Sequence, residues 1–137
     1  MASIELVGRL ASGEGVARHY TREPWARNAF MAAAGIDPFP GTLNVLIPDG
    51  PDRQRWLAVR MTEGIVLPAP NPEFCDGRLF LVTVTASASG HFATGAVIVP
   101  MVPGYPDDRV ELIASIGLRE TLGIKDGDVL TVRIETV

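Results

Sequence analysis

The sequence predicts a mainly β fold, a compact barrel of six or seven strands with one substantial helix and one short helical turn. Short runs of alternating apolar and polar residues recur along the chain, which is typical of half-buried strands. Turn-forming glycine, proline and aspartate residues separate these runs. The regular strand-helix-strand alternation of a doubly wound sheet is absent, so a closed or nearly closed β-barrel is favoured.

The predicted strands are distributed over the whole chain. Each is short, rich in β-branched or aromatic residues and bounded by turn signals. Seven segments fit this description: 4–10, 42–47, 64–68, 78–89, 93–100, 109–115 and 129–137.

One long helix is predicted between the first two strands. Thr21 can cap its start, Pro24 suits its first turn and Gly35 can end it. A short helical turn is expected before the last strand. Residues 48–63 are polar and contain proline, which predicts an irregular segment.

Composition limits the class of protein. The 137 residues are 47% apolar and 20% charged, which predicts one globular domain over residues 1–137. The net charge of -4 argues against nucleic-acid binding, which needs a basic face. Cys75 is the only cysteine, so an internal disulfide is excluded. Without a membrane-length apolar run or a signal-peptide pattern, we expect a cytoplasmic protein that does not bind membranes.

Thr42 and Asn44 form a pair of small oxygen-bearing residues at the start of a strand, directly after the proline-glycine turn of "DPFPGTLNVLI". Residues i and i+2 of a strand project from the same face, so this hydroxyl and this amide point together. Such a pair can bind a hard cation such as Mg²⁺ beside phosphate oxygens. The same spacing also fits the solvated face of a half-buried strand, and the spacing alone does not distinguish the two.

A glycine-bearing loop, "SGEGVAR", follows the first strand and brings Gly13, Gly15 and Arg18 close together. Glycines let backbone N–H groups approach a phosphate, and an arginine adds a charged fork. The loop is neither a Walker loop nor a dinucleotide fingerprint. An ordinary turn is the alternative interpretation.

Two charged residues near the end of the chain are further candidates. Glu111 lies between Val110 and Leu112 on a predicted strand, where it either accepts a hydrogen bond from a ligand hydroxyl or meets solvent. Arg119 begins the short helical turn and either binds phosphate or remains on the surface.

Four motifs in this order resemble the CTP-dependent riboflavin kinase family best known from archaea: "SGEGVAR", "PFPGTLNV", "TGAVIVP" and "YPDDRVELIASIGLRETLGIKDGDVLTV". The similarity covers residues 6–135 and is weakest over 48–77. It implies a cradle-loop (RIFT-like) β-barrel that transfers the γ-phosphoryl group of CTP to the 5'-hydroxyl of riboflavin, giving FMN and CDP. It also implies Mg²⁺ as the cofactor, and we expect a monomer.

The resemblance assigns roles to individual residues. It implies that Thr42 and Asn44 bind the metal, that Gly104 and Glu111 contact the flavin, and that Glu111 is the candidate catalytic residue. It further implies nucleotide contacts from two segments: Gly13, Glu14, Gly15, Val16, Ala17 and Arg18, and Ile116, Gly117, Leu118 and Arg119.

The glycine loop departs from the family pattern. The family usually reads Gly-x-Gly-Glu-Gly-Arg, whereas Val16 and Ala17 stand here in place of the acidic residue and the third glycine. Gly104 likewise stands where relatives tend to have threonine. Two alternatives to the kinase therefore remain open: a non-catalytic nucleotide- or flavin-binding barrel, and a related kinase with a different substrate.

Overall fold

Seven antiparallel strands dominate the computed structural model, which describes residues 2–13, 15–73 and 75–136. The mainly β prediction is confirmed, and each strand overlaps its predicted segment. The strands are β1 Ser3–Leu10, β2 Leu43–Leu46, β3 Ile65–Leu67, β4 Gly77–Ala86, β5 Phe92–Pro100, β6 Arg109–Ile113 and β7 Val129–Glu135.

Six of the strands close into a ring. Their order in the sheet is β4-β5-β6-β2-β1-β7, and β7 also pairs with β4, while β3 is added outside the ring on β4. The first and last strands pair over most of their length, from Ser3 opposite Glu135 to Arg9 opposite Val129. Because the ring is closed, its first and last strands do not form free sheet edges with unpaired backbone N–H and C=O groups.

The helices differ in part from the prediction. The predicted long helix is α1 Pro24–Ala34, which Gly35 ends with φ of 68°, as expected. Thr21 does not cap it; this residue is the last of a 3₁₀ helix at Val16–Thr21, and its hydroxyl donates to the carbonyl of Arg18 and accepts from the amide of Gly41.

A second helix, α2 Pro51–Arg60, lies in the segment predicted to be irregular. It packs on β1, and the indole N–H of its Trp56 donates to the carbonyl of Arg109 on β6 at 3.1 Å. The short turn is α3 Leu118–Leu122, ended by Gly123. None of the described helices combines the length and apolar composition needed to cross a bilayer.

Alternate residues of the strands build two hydrophobic clusters. Val45, Val110 and Leu112 belong to the larger cluster, which fills the interior of the ring. Ile113 belongs to the smaller cluster on the outer face, where the 3₁₀ helix and α1 cover the sheet. Because side chains alternate along a strand, Glu111 must face outward between Val110 and Leu112. The 3₁₀ helix that follows β1 covers this face, so Glu111 lies between the sheet and that helix.

Candidate functional site

The site lies where β2 and β6 pair, under the loop that follows β1. Asn44 is directly opposite Glu111 in the register of these strands. Thr42 precedes β2, and its hydroxyl donates to Oε1 of Glu111 at 3.0 Å. The prediction that Thr42 and Asn44 share one face, opposite Leu43 and Val45, is confirmed: the latter pair packs in the ring interior.

Glu111 is the centre of this arrangement and is 0% exposed. Its Oε1 accepts hydrogen bonds from the hydroxyl of Thr42 and, at 2.9 Å, from the backbone N–H of Ala17. Its Oε2 accepts from the hydroxyl of Tyr105. These donors compensate for the burial of a carboxylate. The possibility that Glu111 merely meets solvent is excluded.

Gly15 covers the cluster with its backbone. Its N–H donates to the hydroxyl oxygen of Thr42 at 2.9 Å. A β-carbon at this position would lie 1.9 Å from Oε1 of Glu111 and 2.6 Å from Oδ1 of Asn44. Glycine is required here for close approach rather than for a left-handed conformation, since its φ is -89°.

Asn44 contributes a buried polar atom, the oxygen of its side-chain amide. Its side chain is 3% exposed, and Oδ1 accepts no hydrogen bond within the part of the chain that the structure describes. A buried unpaired oxygen costs about 1–3 kcal/mol, so its presence requires an explanation. Together with the Thr42 hydroxyl and the Glu111 carboxylate it forms an all-oxygen set, which suits a hard divalent cation.

The backbone amides of the glycine loop are used inside the protein. Those of Gly15 and Ala17 bind Thr42 and Glu111, and that of Arg18 donates to the carbonyl of Gly15 at 3.2 Å. The Arg18 guanidinium, on the surface, donates to the same carbonyl. Val16 begins the 3₁₀ helix, and Glu14 lies outside the described residues. The loop amides that were expected to bind phosphate therefore already donate hydrogen bonds within the protein.

A cavity of about 440 Å³ adjoins the cluster and shares Thr42 with it. The predicted nucleotide segments meet here: one wall includes Gly13, and another is made by Ile116, Gly117, Leu118 and Arg119. The guanidinium of Arg119 donates to the carbonyl of Ala11 at 3.1 Å and pairs with Asp126 at 2.8 Å. Arg119 thus joins α3 to the glycine loop while lining the cavity.

Gly104 is separate from this cavity and forms an exposed turn with φ of 76°. It precedes Tyr105, whose ring lies 5.1 Å from the guanidinium carbon of Arg60 on α2. Arg60 also donates to the carbonyl of Pro106 at 3.0 Å. Burial, reinforced by the charge of Glu111, raises the pKa of Tyr105. The hydroxyl therefore remains protonated and continues to donate to Glu111.

Two residues that border the site were not predicted from sequence. Tyr105 binds Glu111, and its only signal is its place in the "GYPDD" turn shortly before that strand. Phe39 lines the cavity and lies in the "PFPG" turn that precedes Thr42. An aromatic residue between two prolines, where a turn rather than a core is expected, is the signal that could have identified it.

A ring of antiparallel strands, with a buried oxygen cluster next to a cavity, defines a small β-domain with a candidate ligand site. Residues 10–134 match the family model CTP-dep_RFKase, described as domain of unknown function DUF120. The chain belongs to this family. The resemblance found in the four sequence motifs is thereby confirmed.

Curated relatives agree with this assignment. The chain is 35% identical over 136 residues to a riboflavin kinase of Halobacterium salinarum, covering 96% of this chain and 57% of the relative. It is 37% identical over 136 residues to a riboflavin kinase of Pyrobaculum aerophilum, covering 98% and 62%. A riboflavin kinase of Saccharolobus solfataricus is 30% identical over 132 residues, with 96% and 74% covered. The chain thus spans 57% to 62% of the first two relatives.

Proposed function

We propose that this protein is a riboflavin kinase that transfers the γ-phosphoryl group of CTP to the 5'-hydroxyl of riboflavin. A bond forms between the riboflavin 5'-oxygen and the γ-phosphorus, and the bond from that phosphorus to the β,γ-bridging oxygen breaks. The hydroxyl proton is released, and the products are FMN and CDP. The observation that carries the proposal is the buried Thr42–Asn44–Glu111 cluster beside a cavity lined by Gly13 and by the segment from Ile116 to Arg119.

The cavity walls supply the nucleotide contacts. Gly13 leaves room for a ligand on one side, and the segment from Ile116 to Arg119 forms the other side. Arg119 brings positive charge to a ligand that carries several negative charges. Phosphoryl transfer requires mainly positioning and charge neutralisation, which these cavity walls would provide.

Thr42 and Asn44 are the residues that would hold Mg²⁺. The unpaired Oδ1 of Asn44 and the hydroxyl oxygen of Thr42 are ligands of the required type. Bound there, Mg²⁺ would neutralise charge on the phosphate oxygens. Gly15 covers both oxygens, so the glycine loop must withdraw before a hydrated cation and triphosphate enter.

Glu111 is placed to orient the acceptor hydroxyl or to accept its proton. Its Oε2 has one protein donor, Tyr105, and keeps capacity for another. Because Glu111 is enclosed, the acceptor reaches it only after Tyr105 or the glycine loop has shifted.

The test measures FMN formation from riboflavin by chromatography, with Mg²⁺ and each nucleoside triphosphate in turn. We expect FMN with CTP, loss of product with chelator, and loss of Mg²⁺-dependent turnover in the double variant Thr42→Ala, Asn44→Ala. Retention of metal-dependent turnover by the double variant would refute the assigned metal site. Unchanged turnover in the Glu111→Gln variant would refute the role of Glu111 in accepting the proton of the acceptor hydroxyl.

A second candidate is a binding domain that retains the nucleotide or flavin without turnover. The observation that favours it is the internal use of the loop amides of Gly15, Ala17 and Arg18. If FMN never forms while CTP or riboflavin raises the melting temperature, this second function is correct.

A further inference from the structure

We infer that Phe39 is the stacking surface for the nucleobase of the bound triphosphate. This inference rests on the proposed nucleotide function of the cavity and identifies the residue that contacts the base rather than the phosphates. Phe39 is the one aromatic side chain among the described residues that line the cavity.

The exposure of Phe39 is the first argument. The side chain is 54% exposed, although the backbone of Phe39 is hydrogen bonded to the neighbouring chain segment. Its backbone N–H donates to the carbonyl of Ala114 at 2.8 Å, and Pro38 before it is buried. A large apolar ring that borders a cavity and is half exposed offers a surface on which another ring can stack.

The position of the ring is the second argument. The ring lies beside Gly117 of the second nucleotide segment, where an added β-carbon would lie 3.4 Å from Cζ of Phe39, an ordinary van der Waals distance. Thr42 lines the same cavity and belongs to the oxygen cluster. The cavity thus has a polar end for the phosphates and an aromatic group for the base. Gly104 and Glu111, which are matched to flavin contacts, do not line it.

An aromatic side chain can stack on any of the bases, because each base has a π-face. Phe39 therefore supplies affinity for nucleoside triphosphates in general, and selection of cytosine comes from other groups. Removal of one stacking ring is expected to weaken nucleotide binding roughly 5- to 150-fold. Tripolyphosphate has no base and should be unaffected.

The experiment measures dissociation constants by calorimetry, with Mg²⁺, for CTP and for inorganic tripolyphosphate. Phe39→Ala should weaken CTP binding by that factor and leave tripolyphosphate binding unchanged, while Phe39→Trp should restore CTP binding. Phe92→Ala is the matched control, since Phe92 is 68% exposed and lies outside this cavity. Unfolding curves establish that each variant is folded.

Other outcomes overturn the inference in distinguishable ways. Unchanged CTP binding by Phe39→Ala, or equal losses for CTP and tripolyphosphate, refutes the stacking role alone. A rise in the riboflavin KM with unchanged CTP affinity would place the flavin ring on Phe39 instead. Absence of CTP binding by the wild-type protein would refute the proposed function and this inference together.

Discussion

The α-carbon of Gly15 lies against the carboxylate of Glu111, so that a methyl group at position 15 would fall 1.9 Å from Oε1 of Glu111. Gly15→Ala must therefore displace Glu111, Asn44 or the loop. We expect FMN formation to fall about 100-fold, because a displacement of about 1 Å disrupts catalytic geometry. Overpacking should also lower the free energy of unfolding by about 1–3 kcal/mol.

Gly77→Ala provides the comparison for this variant. A β-carbon there would lie 3.0 Å from Cδ1 of Ile98, the movable end of a side chain. We expect a small loss of stability and normal FMN formation. Wild-type turnover and melting temperature in Gly15→Ala would contradict the close packing of the loop on Glu111.

The hydroxyl of Thr42 both accepts from Gly15 and donates to Glu111. Thr42→Val keeps the shape but leaves the Gly15 amide and a carboxylate oxygen short of a partner. The free energy of unfolding, measured with urea, should fall by about 1–3 kcal/mol. Thr42→Ser retains the hydroxyl and should recover most of this loss and most of the turnover. Equal stability of the Val and Ser variants would rule out a role for the hydroxyl.

Two buried tyrosine hydroxyls allow a matched comparison at neutral pH. Tyr105 donates to the carboxylate of Glu111, whereas Tyr20 donates to the neutral carbonyl of Cys75 at 2.7 Å. Hydrogen bonds to charged groups contribute about 1.5–3 kcal/mol and neutral ones about 1 kcal/mol. Tyr105→Phe should therefore lower the free energy of unfolding more than Tyr20→Phe does. The reverse order in urea denaturation would be evidence against the Tyr105–Glu111 bond.

Alkaline pH should destabilise the protein through the same tyrosines. Burial, followed by the charges of Cys75 and Asp76, raises the pKa of Tyr20 from 10.0 to about 12. Between these values the unfolded chain has released its proton and the folded chain retains it, so stability falls as pH rises. One such group contributes a slope of about 1.4 kcal/mol per pH unit. Burial raises the pKa of Tyr105 in the same direction.

Tyr20→Phe cannot titrate at this position and should flatten the decline above about pH 10. Urea unfolding at several pH values from neutral to alkaline tests this expectation. If wild-type and Tyr20→Phe stabilities decline in parallel, the pKa of Tyr20 is not raised by folding.

The strands were predictable because alternation on a half-buried sheet is a strong local signal. Val45 and Asn44 illustrate it: one enters the ring interior and the other faces the covered outer surface. The end of α1 at Gly35 was equally predictable from the sequence, because few residues other than glycine adopt the positive φ found there.

Helix α2 was missed because its pattern is weak. Only Trp56 and Val59 are buried, and the remaining residues are mostly polar. Two apolar anchors three residues apart give too narrow a stripe to distinguish a helix from a loop. The proline at its first position was interpreted as a sign of irregularity, although that position favours proline in a helix.

The chemistry of the site was partly predictable. The pair Thr42 and Asn44 follows from strand periodicity, but their meeting with Glu111 depends on the pairing of β2 with β6, across 69 residues between Thr42 and Glu111. The covering role of Gly15 and the donor role of Tyr105 depend on tertiary contacts of loops. No local pattern encodes such contacts.

The closure of the ring by β7 has a consequence for how the polypeptide acquires its shape. Strand β7, the last of the ring along the sequence, contacts both β1 and β4, so the enclosed interior is completed only after all six strands of the ring have been synthesised. Contacts that join distant parts of a sequence slow the search for the native state. During translation the nascent chain therefore carries unpaired strand edges, and chaperone assistance or rapid release from the ribosome would favour its productive folding.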